Sequence, residues 1–299
     1  MELKFAEKNF LDLSQPHSDI SNAQFVVASV PVEGTVSYGG GTHNGPSAII
    51  EASRQVELFD EEGLDEPYMA GIATLEIPQP FFKAEDGVAS AREQVREIVK
   101  RGKIPIVLGG EHSLSCGALQ ALSEHYDEFS LLHFDAHGDL RDSYHGNPYS
   151  HASALRRCLD VASVKHLVQV GIRNVSNVPE DGNEYDFLKA HTERVTVFWA
   201  REMASWRIED MIKPLSKNVY ITFDVDALDP SIMPATGTPE PGGLLWYQTL
   251  DILRAVCTQK NIIGMDFVEF APIPGFHAPD FLLAKLIYKA IGYITRSSK

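Results

Sequence analysis

The sequence predicts an α/β fold, a single domain over residues 1–299 with a mostly parallel central sheet and helices on both of its faces. Three observations carry that expectation. Short runs rich in Val, Ile, Leu and Phe recur along the chain, as strands buried on both sides require. Segments with apolar residues at helical spacing lie between them, so most strands are followed by a crossover rather than a tight turn. No linker, repeat or break of composition interrupts the alternation.

Residues 1–22 are polar and irregular and read as an N-terminal arm that packs on a neighbour. A first strand covers 24–30, followed by a loop over 31–46 with Gly34, Gly39, Gly40, Gly41 and Gly45. Pro46 suits the first turn of a helix running to about residue 60. A turn-rich stretch holds a short strand within 69–77, and Val88, Ala91, Val95 and Ile98 mark an amphipathic helix over 84–101. Strands at 104–108 and 130–134 flank a helix over 113–126. A polar loop over 140–149 leads to Ser150, which caps a helix to residue 159. Then come a strand at 165–172, a helix at 180–191, a strand at 196–199 and a helix at 207–215. The last third holds a strand at 219–223, a Pro/Gly-rich loop at 229–243, a helix at 245–257, a strand at 262–267 and a closing helix at 279–295.

Hydrophobic residues make up 44% and charged residues 22%, an ordinary globular balance that argues against disorder. The net charge of −15, with no basic block, argues against nucleic acid and anionic membranes as partners and suits a small cationic ligand. Cys116, Cys158 and Cys257 are scattered and odd in number, which fits a reducing cytosol rather than a disulfide framework. Met1-Glu2-Leu3-Lys4-Phe5 opens no apolar leader, and no run approaches the ~18 apolar residues of a membrane span. A cytoplasmic location is the expectation.

The chemistry is concentrated where apolar runs end. Leu131-Leu132-His133-Phe134 passes at once into Asp135-Ala136-His137-Gly138-Asp139, whose polar side chains share one face while the chain stays extended. Val219 to Phe223 ends in Asp224 and Asp226, and the 104–108 strand ends in Gly109-Gly110-Glu111-His112. A lone Asp-x-His would be read as a capped strand end. Three such strands deliver four carboxylates and two imidazoles to the sheet edge where parallel α/β folds bind ligands. Two divalent ions balance those four charges, and the oxygen-rich set suits Mn²⁺ better than Zn²⁺. Such a pair lowers the pKa of a shared water, so hydrolysis leads among reaction classes.

Gly109-Gly110-Glu111-His112-Ser113, Asp135-Ala136-His137-Gly138-Asp139, Asp224-Val225-Asp226-Ala227-Leu228-Asp229-Pro230 and Gly237-Thr238-Pro239-Glu240-Pro241-Gly242-Gly243 resemble, in order, the signatures of the ureohydrolases. That is the arginase and agmatinase superfamily, and the resemblance runs from about residue 31 to 293. It implies a three-layer α/β/α sandwich, a fold shared with histone-deacetylase-like enzymes, and two Mn²⁺ per subunit. By the resemblance His112 and Asp139 bind one ion and His137 and Asp226 the other, with Asp135 and Asp224 bridging. Asp139 also aims the hydroxide. Glu269 matches the guanidinium-binding glutamate, with Asp266 and Glu240 as alternatives. His151 matches the proton-shuttle histidine, with His145 as its rival and Asn147 of the same loop assigned to substrate binding. His133, inside its strand, reads as a core residue. The 140–151 loop is more similar to agmatinases than to arginases, so the implied reaction is agmatine to putrescine in polyamine biosynthesis. Aminopropylagmatine, guanidinobutyrate and arginine are alternative substrates for the same chemistry. A one-zinc deacylase and a non-catalytic relative are alternatives of other classes. His43 stands where many relatives carry arginine, a departure that bears on loop packing or substrate choice over 38–44. The family also implies a homo-oligomer, a trimer or hexamer.

Overall fold

A computed structural model describes residues 3–297. Its eight strands are β1 (Phe25–Val30), β2 (Ile72–Thr74), β3 (Ile104–Gly109), β4 (Phe129–Phe134), β5 (Val164–Ile172), β6 (Val195–Trp199), β7 (Asn218–Asp224) and β8 (Asn261–Val268). They form one sheet in the order β2-β1-β3-β8-β7-β4-β5-β6. Every neighbouring pair is parallel, so the sheet is all-parallel rather than mostly so.

Strand residues alternate between two apolar layers, as the pleat dictates. Ile106, Leu108, Leu132, Phe134, Ile221 and Phe223 face one side, where helices α1 (Gly45–Ser53), α6 (Ile208–Ile212), α7 (Trp246–Gln259) and α8 (Ala278–Ser297) pack. Val107, Phe129, Leu131 and Tyr220 face the other, covered by α2 (Ala84–Val99), α3 (Ser115–Leu122), α4 (Ala154–Leu159) and α5 (Glu184–Ala190). Helix α8 buries Leu283, Ile287, Ile291 and Ile294 along one stripe, each contributing about 1.5–3 kcal/mol of apolar transfer.

Several elements differ from the sequence reading. Helix α1 stops at Ser53, whose hydroxyl turns back to Ile50 O and accepts the N–H of Leu11. That contact also shows where the arm goes. Phe10 and Leu11 are buried against the chain's own core, and Phe5 bridges Leu75 beside the edge strand β2. The described part of the arm therefore covers its own sheet edge, while Met1 and Glu2 lie outside the described residues. Helix α5 begins later than expected because Asn183 accepts the N–H of Asp186 and fixes the start. No helix among the described residues is long and apolar enough to cross a membrane.

Candidate metal centre and active site

Strand order assembles the site. β3, β8, β7 and β4 are consecutive in the sheet, and because all run the same way their carboxyl ends meet at one edge. His112 follows β3, Glu269 follows β8, Asp224 ends β7 with Asp226 just beyond, and Asp135, His137 and Asp139 follow β4. Two backbone features seat them. Gly110 passes so close to Val32 that a Cβ would lie 1.9 Å from its carbonyl oxygen, so only glycine lets Glu111 and His112 reach the edge. Asp139 and Glu269 hold φ values of 52° and 62°, conformations that cost non-glycine residues energy and cluster at functional sites. The regular strand ends at Phe134, and the segment beyond it brings the three side chains together. Glu184 builds that loop, its two oxygens accepting Leu140 N–H at 2.8 Å and Ser176 N–H at 2.7 Å.

The polar side chains form two groups that share Asp135. His112 Nδ1 lies 3.1 Å from Asp139 Oδ2, 3.3 Å from Asp135 Oδ2 and 3.5 Å from Asp224 Oδ2. His137 Nδ1 lies 2.9 Å from Asp226 Oδ2 and 3.4 Å from Asp135 Oδ1. Asp224 turns only Oδ2 to the first group, since its Oδ1 accepts the N–H of Asp226.

Proton counting shows what the first group needs. Thr222 donates its hydroxyl to Asp266 Oδ1 at 2.6 Å, so at 2.8 Å it accepts from His112 Nε2–H. The neutral ring then turns a bare Nδ1 lone pair, buried and without a hydrogen-bond partner, toward three carboxylate oxygens. That arrangement is repulsive unless a cation lies among them. The proton affinities tell the same story. Burial opposes charging His112, yet Asp135, Asp139 and Asp224 hold its pKa well above the ordinary value. Burial and the Asp135 charge push Asp139 up to about 7, and burial with Asp226 and Asp135 pushes Asp224 well above the carboxylate range. Asp135 stays ionised despite burial because His133, His112 and His137 surround it. The residues present fit a pair of metal ions, and the buried His/Asp groups are consistent with a binuclear site.

A cavity of about 210 Å³ opens over this floor, lined by His137, Asp139, Asp224, Asp226, Glu269 and His151 among others. Glu269 is 8% exposed, and its Oε1 accepts the N–H of His112 at 2.7 Å. Burial, with Glu111 nearby, pushes its pKa well above the glutamate range, so an incoming cation is what would favour its charged form. His151 meets Thr35 Oγ1 through Nδ1 at 3.2 Å, and burial with the charges of His137 and His112 pulls its pKa down to about 4. His145 is exposed, packs at a tilt against the Tyr144 ring and does not line the cavity. Asn147 is not in the cavity wall either, since its Oδ1 accepts Tyr149 N–H at 2.8 Å within its own turn. Asp266 lies beneath the floor bound to Tyr220 and Thr222, whereas Glu240 lines the cavity and accepts from Asn174 at 2.7 Å. His43 is outside the wall, with Nδ1 2.6 Å from Glu33, which also accepts the N–H of Gly41 and so folds the glycine-rich loop.

Four contributors are given no role in the site from the sequence. His133 is buried as a core residue should be, yet its Nε2 lies 2.8 Å from Asp135 Oδ2 while Gln169 Nε2 meets its Nδ1 at 3.0 Å. Thr35 and Glu184 carry no motif, and only Glu111 was visible, inside Gly109-Gly110-Glu111-His112.

Residues 23–292 match the model of the arginase family. The chain belongs to the arginase family. Within that family it is 40% identical to the N(1)-aminopropylagmatine ureohydrolase of Thermus thermophilus, over 98% of this chain and 94% of that one. It is 35% identical to the enzyme of the same name from Synechocystis, over 98% and 95%. The crystal structure of the agmatine ureohydrolase of Thermoplasma volcanium superposes with a TM-score of 0.82 at 31% identity, over 97% of this chain and 95% of that one. The protein is an agmatinase-like ureohydrolase of the arginase family, with a buried His/Asp metal-site cluster.

Proposed function

We propose that this ureohydrolase holds two Mn²⁺ and releases urea from N(1)-aminopropylagmatine, with agmatine as the second reading. The observation that carries the reaction is Asp135, whose two oxygens face two different histidine-bearing groups on the floor of one cavity. His112, Asp135, Asp139 and Asp224 would hold one ion, and Asp135, His137 and Asp226 the other. Such ions supply Lewis acidity and a hydroxide equivalent near neutral pH. The oxygen-rich ligation supports Mn²⁺.

The chain's own groups do the rest. Glu269, fixed by His112 N–H through one oxygen, binds the planar guanidinium and turns its carbon toward the floor. His151, uncharged at rest, takes up the proton that water gives up and passes it to the leaving amine. The balance is guanidinium plus water to urea plus an alkylammonium ion.

The tail of the substrate is read from the walls. Arg141 is occupied by Asp181 at 2.6 Å and lies over the Tyr144 ring, so it is not free for a carboxylate tail. Glu240 is the one acid among the described lining residues that is not buried, and it suits an ammonium tail. The 35–40% identity to aminopropylagmatine ureohydrolases supports the longer polyamine. Three buried thiols outside any disulfide support a reducing compartment.

The test is urea release by Mn²⁺-loaded protein from aminopropylagmatine, agmatine, guanidinobutyrate and arginine. The proposal expects the highest kcat/KM on aminopropylagmatine. A higher value on agmatine selects the second reading, and urea from arginine alone overturns both.

A further inference from the structure

We propose that Thr35, braced by Glu111, locks His151 in the tautomer with its proton on Nδ1, so that Nε2 alone takes up and gives the proton in turnover. The inference rests on the shuttle role proposed above for His151.

Glu111 is fully buried and accepts four hydrogen bonds. Gly34 N–H and Thr35 N–H reach Oε2 at 2.8 and 2.6 Å, and the Thr35 and Ser113 hydroxyls reach Oε1 at 3.0 and 2.8 Å. Two of these donors are backbone amides, which cannot accept, so Oε2 carries no proton, and an ionised Glu111 takes all four hydrogen bonds. Thr35 has one hydroxyl hydrogen and spends it there, the charged acceptor being the stronger partner. Every other contact of Thr35 Oγ1 is therefore one it accepts. The first comes from His151 N–H at 3.0 Å. The second is His151 Nδ1 at 3.2 Å, attractive only when that nitrogen carries a hydrogen. Ser150 Oγ also lies near Nδ1 but farther away, at 3.5 Å.

The neutral ring thus keeps its lone pair on Nε2, the nitrogen left for the cavity. A proton gained at Nε2 and donated from Nε2 returns the ring to its starting form without a tautomer exchange. Neither Thr35 nor Glu111 lines the cavity, so both are positioning residues. They belong to the loops after β1 and β3, whereas His151 lies in the segment after β4, 116 residues from Thr35.

Imidazole ¹⁵N NMR of histidine-labelled protein near pH 8 reads the tautomer directly, with His151 assigned by its loss in His151→Asn. The expected spectrum shows the Nδ1–H form in the native chain and a mixture of forms in Thr35→Val. An Nε2–H form in the native chain overturns the proposal. Kinetically, Thr35→Val should keep its metal content and KM while kcat falls roughly ten- to a hundredfold, and Thr35→Ser should recover most of it. Native kcat in Thr35→Val overturns the proposal as well. Should His151→Asn turn over normally, the shuttle reading fails by itself, and the NMR result still decides the tautomer.

Discussion

Asp135 illustrates how much a single side chain can hold together. One oxygen faces His112, the other faces His137, and His133 braces the first from behind. Asp135→Ala should therefore lose both ions and all urea release while keeping its circular dichroism, as metal analysis would show. His133 donates from Nε2 because Gln169 occupies its other nitrogen, and burial keeps it uncharged by lowering its pKa. His133→Leu should weaken Mn²⁺ binding roughly ten- to a hundredfold, measured by titration of the metal-free chain. Glu269→Gln removes a charged acceptor worth about 1.5–3 kcal/mol, so kcat/KM should fall roughly ten- to a hundredfold with metal content unchanged.

At the scale of elements, the strands and their polar ends were legible because burial on both faces leaves apolar runs that stop abruptly where chemistry begins. The fourth ligand-bearing strand was legible too, through Glu269, but its place between β3 and β7 was not. Strand order depends on contacts far apart in sequence. For the same reason the His112–Thr222–Asp266 and Glu111–Thr35–His151 chains left no local periodicity to read. Asn147 and His145 lay in the right loop by sequence, yet Tyr144 and Asn147 pair across a turn and neither Asn147 nor His145 lines the cavity. One element makes a prediction of its own. Helix α8 is fastened by Lys289, 1% exposed, whose Nζ lies 3.1 Å from the buried Asp60 and 2.8 Å from Glu61. Lys289→Ala leaves Asp60 with Arg296 at 3.0 Å but without its second cation, so it should cost about 1.5–3 kcal/mol in a denaturant titration.

The molecule as a whole joins this anchor on one side to an acid-rich pit at the sheet edge. Burial opposes ionisation of Asp60, but Gly63 N–H, Lys289 and Arg296 outweigh it and hold the pKa below the ordinary 3.8. A depressed folded-state value stabilises above the unfolded-state pKa and is lost as pH falls through the folded one. The Asp60 contribution should thus be intact at neutral pH and vanish in acid below about pH 4. Thermal melts of native chain and Asp60→Asn should converge there. The pit, by contrast, gathers negative charge rather than relieving it, and a cation pair is what would neutralise it. Elemental analysis of the chain reconstituted with Mn²⁺ and freed of excess measures this most directly. Two ions per chain is the predicted result; one ion, or none, would contradict it.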